Sequence, residues 1–188
     1  MKELSLNILD ITMNSVKAGA SFIEILLEDV NSVLTVTIKD NGCGMSEEQI
    51  NKLTDPFFTT RTTRKVGLGI PFYTLAAKQT GGDVKIFSKT AAEYPDENGT
   101  TVTAVFLEDS IDFTPLGDII STLITLIQGY PEIDFLFKHT NGKTEVLLDT
   151  REISETLGSE IPINSVEILD WIKQFLEEQY INSNLRKD

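Results

Sequence analysis

The chain has 188 residues, and its 16 Lys and Arg against 29 Asp and Glu give a formal net charge of −13. Such an acidic chain repels phosphate backbones and anionic membrane surfaces, so we expect neither nucleic acid nor a membrane as a partner. No apolar run is long enough to span a bilayer, and the first ten residues do not read as a signal peptide. We therefore expect a cytoplasmic globular protein. The single cysteine, Cys43, excludes an internal disulfide.

The first part of the chain is predicted to mix two long helices with four strands. Helical spacing of apolar residues covers 3–18 and 70–80, and a short helix is predicted from Ser46. The apolar face of the first helix would comprise Leu4, Leu6, Ile8, Leu9, Ile11, Met13 and Val16. Strand patterns cover the runs 21–29, 32–39, 83–89 and 101–107.

The charge changes near residue 108, because residues 1–107 carry a net charge of −3 and residues 108–188 one of −10. We therefore predict a domain at 1–108 and an extension at 109–188. The extension is predicted as αββα, with a helix at 115–128, strands at 132–138 and 143–149 around Asn141-Gly142, and a helix at 164–181.

Polar residues recur along the first helix at positions that share one face, namely Asn7, Asp10, Asn14 and Lys17. They could simply form a solvated stripe opposite the core. Alternatively, the amide oxygen of Asn14 would suit Mg²⁺, which prefers hard oxygen ligands, and the carboxylate of Asp10 one turn away could orient or deprotonate an attacking water.

Two glycine-containing segments flank predicted strands. In Asp40-x-Gly42-x-Gly44 the glycines permit a sharp loop, and the aspartate could accept a hydrogen bond from an exocyclic amine such as that of adenine. Gly99-Thr100-Thr101 opens a strand, and a hydroxyl there could contact the same ring. Each segment could also be an ordinary turn.

A third glycine segment, Gly67-Leu68-Gly69, precedes the helix at 70–80. Free amides at a helix N-terminus favour an anion, and Arg61, Arg64 and Lys65 lie just before them. A solvated basic loop is the alternative, but cations beside an amide nest favour phosphate binding.

The order of these motifs resembles the GHKL superfamily, which groups gyrase, the ATP-dependent heat-shock chaperone, histidine kinases and MutL. The resemblance covers about residues 3–107. It is carried by Asp10-xxx-Asn14, Asp40-x-Gly42-x-Gly44, the segment Asp55-Pro56-Phe57-Phe58-Thr59-Thr60-Arg61, Gly67-x-Gly69 and Gly99-Thr100-Thr101. It implies an α/β (α+β) two-layer sandwich of Bergerat type, in which the first helix and the helix at 70–80 cover one face of a mixed sheet. ATP would be held between these helices and a lid that Gly67 and Gly69 would hinge.

The resemblance also implies roles for individual residues. Asn14 would coordinate the Mg²⁺ that bridges the ATP phosphates, and Asp40 would receive the adenine amino group. The remaining nucleotide contacts would come from Lys17, Gly42, Gly44, Met45, Phe57, Arg61, Arg64, Lys65, Gly67, Leu68, Gly69 and Thr101. Asp10 lies where hydrolysing members carry a glutamate as general base. It is one methylene shorter, so we expect inefficient hydrolysis.

The segment 55–61 most resembles its counterpart in histidine kinases. We do not expect self-phosphorylation, because no helical hairpin precedes residue 3 and the lone histidine, His139, is interpreted as a surface or packing residue. The layout resembles a stand-alone kinase-like ATPase module of the kind found in anti-sigma factors. We therefore expect a regulatory kinase that acts on a protein partner, with a slow ATPase or an ATP-loaded switch as alternatives.

The last predicted helix carries an apolar pattern together with Trp171. This pattern could pack against the sheet or could form a docking surface for a partner. The exposure of Trp171 distinguishes the two interpretations.

Overall fold

The computed structural model describes residues 3–54, 69–158, 160–183 and 185. Helices and strands alternate along these residues. In chain order they are α1 (Leu4–Lys17), β1 (Phe22–Val30), β2 (Val33–Asp40), α2 (Glu47–Thr54), α3 (Gly69–Gln79), β3 (Asp83–Lys89), β4 (Gly99–Leu107), α4 (Ile119–Gly129), β5 (Asp134–Thr140), β6 (Glu145–Asp149), α5 (Thr150–Leu157) and α6 (Val166–Ser183).

The strands form one mixed sheet in the order β3-β4-β2-β1-β5-β6. Neighbouring strands are antiparallel except for β1 and β5, which pair in parallel from Phe22↔Asp134 to Glu28↔Thr140. Because β5 and β6 extend the sheet of β1 to β4, strands from both sides of residue 108 share one sheet and one buried core. The predicted boundary therefore separates two stretches of chain that pack together.

Strand alternation decides which face of the sheet is covered. On β1, the side chains of Ile23, Ile25 and Leu27 are fully buried on one face of the sheet. The residues between them point to the other face. Residues of α1, α3, α4 and α6 complete the same core. The predicted two-layer α/β sandwich with a mixed sheet is confirmed.

The predicted elements before residue 108 are all present, but the later part differs in detail. The helix predicted from 115 begins at Ile119, because the side chain of Asp118 caps it by accepting from the Ser121 amide at 2.9 Å. Sequence patterns also missed α5, which follows β6 without a loop. In α1, Leu6 was expected on the apolar face but is 44% exposed, because the helix turns Leu4, Ile8 and Ile11 to the sheet.

His139 is a packing residue, which is one of the two alternatives that the sequence left open. It lies on β5 with 1% of its surface exposed, and its Nδ1 is 2.9 Å from the Tyr180 hydroxyl of α6. No described residue hydrogen-bonds its Nε2, although Asp29, Glu108 and His139 line one small cavity. Burial lowers the pKa of His139 to about 4, and the charge of Asp29 opposes this only in part.

This buried imidazole should make the fold sensitive to acid. In the unfolded chain His139 binds a proton near its ordinary pKa of 6.5, whereas in the folded chain it resists protonation down to about pH 4. The contribution of His139 to the free energy of unfolding is fully present above pH 6.5 and is lost as the pH falls towards 4. Between pH 7.5 and 5.0 the free energy of unfolding should fall by about 2 kcal/mol. Urea denaturation at the two pH values should show this loss, and His139→Gln should remove it. An unchanged pH dependence in the variant would contradict the assignment.

Candidate functional site

A cavity of about 210 Å³ lies between α1, the end of β2 and the start of α3. Its lining is mostly apolar and includes one carboxylate. The lining residues are Ile11, Asn14, Ser15, Ala18, Asp40, Met45, Leu53, Ile70, Thr100 and Val102. Pockets for whole ligands usually measure roughly 300–1,000 Å³, so this cavity suits one part of a larger ligand, such as a planar base.

Asp40 is the polar centre of the cavity and is only 8% exposed. Its Oδ1 accepts hydrogen bonds from the amides of Gly42 at 2.9 Å and Thr100 at 3.2 Å. Its Oδ2 accepts from the Ser15 hydroxyl at 2.6 Å. An ionised carboxylate can accept about four hydrogen bonds, so these three fix its orientation and leave capacity for one donor from a ligand.

The loop after Asp40 is held on both sides by backbone hydrogen bonds. The Cys43 amide donates to the Ala18 carbonyl at the end of α1, and the Cys43 carbonyl accepts from the Ala91 amide, each at 2.9 Å. A Cβ on Gly42 would lie 2.8 Å from the Cβ of Ala18. Gly44 has φ +70°, and a Cβ there would lie 1.9 Å from the Lys89 carbonyl oxygen. Glycines at both positions therefore allow the loop to close against its neighbours.

A hydroxyl network supports the wall of the cavity next to Met45. The Met45 amide donates to Ser88 Oγ at 2.8 Å, and Ser88 Oγ also contacts Thr100 Oγ1 at 2.8 Å and the Gly99 carbonyl at 2.9 Å. The network ties the loop after Asp40 to the first residues of β4. Met45 itself lines the cavity, and its contact with a nucleotide stays a prediction.

Asn14 and Asp10 occupy the side of α1 that meets the start of α3. Asn14 is half-buried in the cavity lining, and its side chain makes no hydrogen bond to a described residue. Asp10 is exposed. A Cβ added to Gly69 would lie 3.4 Å from the Cβ of Asp10. The structure thus brings Asp10, Asn14 and Gly69 together beside the N-terminus of α3, where amides and the helix dipole favour an anion.

Two residues of the predicted stripe on α1 take other places. Asn7 is 3% exposed, and no described residue hydrogen-bonds its Oδ1. Lys17 is exposed in the last turn of α1 and does not line the cavity. The stripe is therefore neither wholly solvated nor wholly part of the site.

Thr101, like Lys17, is a predicted nucleotide contact that does not line the cavity. It is half-buried on the opposite face of the sheet, where it lines another cavity, of about 400 Å³, with Lys39 and Phe87. Thr100 takes the place on the cavity side, because it shares the inward face with Val102. The pattern Val102, Ala104, Phe106 could have shown this, since strand alternation makes position 100 inward and position 101 outward.

The remaining predicted phosphate and lid contacts lie outside the described residues. They are Phe57, Arg61, Arg64, Lys65, Gly67 and Leu68. In the described part of the chain, no group of three or more His, Cys, Asp or Glu could hold a metal ion. Asn14 fits a Mg²⁺ held mainly by ligand oxygens, because it offers one uncommitted hard oxygen beside the anion-favouring end of α3.

Sequence reasoning missed three residues that shape the site: Ser15, Ser88 and Thr100. Ser15 follows Asn14, and its inward direction could have been inferred from its spacing to Ile8 and Ile11. Ser88 carried no comparable signal, because its contact with Met45 depends on how β3 lies against the loop.

A family model described as histidine kinase-, DNA gyrase B- and HSP90-like ATPase matches residues 1–110. This match covers more than half of the chain and contains α1, β2, the Asp40 loop and β4. The chain belongs to this family. The predicted resemblance to the GHKL superfamily is confirmed, and residues 1–110 form a histidine kinase-like ATPase domain. ATP binding is expected for a member of the family.

Relatives of this ATPase domain include sensor kinases. The tetrathionate sensor histidine kinase of Salmonella typhimurium is 31% identical over 102 residues, which are 54% of this chain and 17% of that protein. Sporulation kinase E of Bacillus subtilis is 30% identical over 90 residues, 47% of this chain and 12% of that protein. The chain thus matches less than a fifth of either kinase.

Solved structures of other proteins share the fold of this chain. The Aquifex aeolicus MutL ATPase domain complexed with ADP has a TM-score of 0.54 at 15% identity, covering 84% of this chain and 69% of that one. An N-terminal domain of a DNA repair protein has a TM-score of 0.55 at 20% identity, covering 85% and 58%. The Bergerat-type fold is thereby confirmed, and the likeness extends beyond the 110 residues of the family match. Within the described residues, no helix has the length and apolar character needed to cross a bilayer.

Proposed function

We propose that this protein binds Mg-ATP and acts as a regulatory kinase on a protein partner. The observation that carries the proposal is the geometry of Asp40, a buried carboxylate with three fixed donors and capacity for a fourth. An exocyclic amine such as that of adenine supplies this donor, whereas the corresponding position of guanine is a carbonyl acceptor. The relatives named as kinases support transfer of a phosphoryl group.

The residues beside α3 supply the rest of the proposed chemistry. Asn14 would hold Mg²⁺ through its amide oxygen, and the metal would offset phosphate charge. The amides at the start of α3 hold phosphate oxygens. Asp10 accepts the proton of the attacking hydroxyl or imidazole as the bond to the γ-phosphorus forms and the bond to the bridging oxygen breaks, releasing ADP.

A slow ATPase is the second candidate, and the exposure of Asp10 favours it. An exposed carboxylate next to Gly69 is accessible to water, so water could replace the partner as the attacking group. An ATP-loaded switch that transfers no phosphate uses the same binding residues. The three functions differ only in the fate of the γ-phosphate.

Two substitutions on α1 should separate binding from turnover. We expect Asp10→Asn to retain ATP affinity and to lower phosphoryl transfer about a hundredfold, because it removes the proton acceptor. Asn14→Ala should weaken Mg²⁺-dependent ATP binding about tenfold, because it removes a ligand oxygen. Calorimetry measures binding, and Asp83→Asn on the exposed end of β3 is the matched control. Normal turnover in Asp10→Asn would remove the proton-acceptor assignment.

The fate of the γ-phosphate is followed with radiolabelled ATP. For a kinase, we expect the protein alone to release little inorganic phosphate and a second protein in a cell extract to become labelled. Asp40→Asn should abolish this labelling. Rapid phosphate release without added protein would favour the ATPase, and binding without release or labelling would favour the switch.

A further inference from the structure

A second and larger cavity lies at the other end of the sheet, between α5, α6 and the edge strand β6. We call it the α5–α6 groove. Its volume is about 690 Å³, more than three times that of the Asp40 cavity, and the two share no lining residue. Its apolar lining includes Leu147, Ile153, Leu157, Ile168, Trp171 and Phe175.

The groove leaves large apolar side chains open to solvent. Trp171 is 49% exposed and Phe175 is 37% exposed. Their rings are stacked, with centroids 5.1 Å apart and an interplanar angle of 11°. Leu147 on β6 is a third exposed apolar residue of the lining. Leu169, Ile172 and Leu176 of α6 pack in the core, as one of the two interpretations of this helix predicted. A contiguous exposed patch with aromatic anchors is typical of an interaction surface, so the exposed side of α6 with Trp171 favours docking.

The backbone of the edge strand in the groove is already paired. The Leu147 amide donates to Gln179 Oε1 and the Leu147 carbonyl accepts from Gln179 Nε2, each at 2.9 Å. The Gln179 side chain therefore makes the two hydrogen bonds that an added strand would make at this residue. What the groove presents is apolar side-chain surface between two helices, which suits the apolar face of a helix better than an extended peptide.

The charge of the α5–α6 groove indicates which kind of helix would bind there. Helices α5 and α6 together contain six acidic and two basic residues, and Glu145 and Asp149 add carboxylates to the lining. Arg151 pairs with Asp149 and Lys138 with Glu145, and the described residues of the lining include no lysine or arginine. A second copy of this chain would bring a net charge of −13 to an acidic groove, so a cationic occupant is favoured.

We infer that the α5–α6 groove binds an amphipathic helix of a partner protein, with apolar residues on one face flanked by Lys or Arg. The apolar face covers Trp171 and Phe175, and the basic residues meet the acidic rim. Among the described residues this surface shares no lining residue with the nucleotide cavity, so it can be tested without ATP.

Trp171 is the only tryptophan of the chain, so its fluorescence reports directly on the groove. The probe is an 18-residue helical peptide of leucine and lysine, and its counterpart carries glutamate in place of lysine. Titration of the full chain with the lysine peptide should shift Trp171 emission to shorter wavelength and saturate at one equivalent. The glutamate peptide should leave the emission unchanged.

A charge reversal at the rim sharpens the test. Glu152 lines the groove on α5 and is exposed, whereas Glu132 is exposed in the turn before β5 and lies outside the groove. We expect Glu152→Lys to weaken the lysine peptide about tenfold and Glu132→Lys to leave its affinity unchanged. Circular dichroism checks that both variants fold.

Three outcomes would overturn the inference. They are an unchanged Trp171 emission with the lysine peptide, equal affinity for the glutamate peptide, and an equal effect of the two charge reversals. A concentration-dependent emission shift without peptide, together with a dimer mass in sedimentation, would assign the groove to a second copy of the chain instead.

Discussion

Asp40→Asn is expected to weaken ATP binding about a thousandfold while the fold is retained. Asparagine keeps an oxygen for the amides of Gly42 and Thr100, and its NH₂ group can donate to the Ser15 hydroxyl. That NH₂ group then faces the adenine amino group. Both groups are hydrogen-bond donors, so the hydrogen bond from adenine to the Asp40 carboxylate is lost. Loss of a charge-assisted hydrogen bond together with a buried unpaired donor costs about 4 kcal/mol. Isothermal calorimetry with ATP measures the change.

Asp83→Asn provides the matched control for this prediction. It makes the same chemical change at an exposed carboxylate on β3, away from the cavity, where Asp83 lies 4.0 Å from Lys78. Its ATP affinity should equal that of the wild type. Near-normal ATP affinity in Asp40→Asn would mean that Asp40 does not contact the base.

Gly44→Ala should lower the free energy of unfolding by about 4 kcal/mol and also abolish ATP binding. Gly44 has φ +70°, and an added Cβ would lie 1.9 Å from the Lys89 carbonyl oxygen. The backbone strain and the steric overlap each cost about 1–3 kcal/mol. Relief of the overlap would push the loop away from Ala91 and move Met45 out of the cavity wall. Urea denaturation measures the first effect and calorimetry the second.

Gly142→Ala distinguishes the cost of backbone strain from the cost of steric overlap. Gly142 has a similar φ of +82°, but no atom would lie within 4 Å of an added Cβ. We expect this variant to lose only about 1 kcal/mol and to bind ATP normally. If both alanine variants lost the same stability, the close approach of the loop to Lys89 would not contribute.

Much of the site could be predicted because its motifs follow one another along the chain. The spacing of Asp10 and Asn14 places them one turn apart on any helix, and Asp40 must leave a strand at the glycine-containing loop. These relations depend on local geometry alone. The structure accordingly brings Asp10, Asn14 and Gly69 to one end of α3 and centres the cavity on Asp40.

The features that were not predicted depend on contacts between distant segments. Ser88 supports Met45 only because β3 lies beside the loop, and Asp40 receives the Thr100 amide from β4. The parallel pairing of β1 with β5 joins the strands after residue 108 to the ATPase sheet, a pairing that the change in charge near residue 108 could not show. Charge reports on the surface and carries no information on which strands pair.

Calorimetric titration of the full chain with ATP and with GTP, each with and without Mg²⁺, tests most directly whether the Asp40 cavity is an adenine site. We predict binding of ATP that is strengthened by Mg²⁺, and no binding of GTP, because guanine presents a carbonyl where adenine presents its amino group. Equal binding of ATP and GTP, or binding of neither, would contradict the assignment of the cavity to adenine.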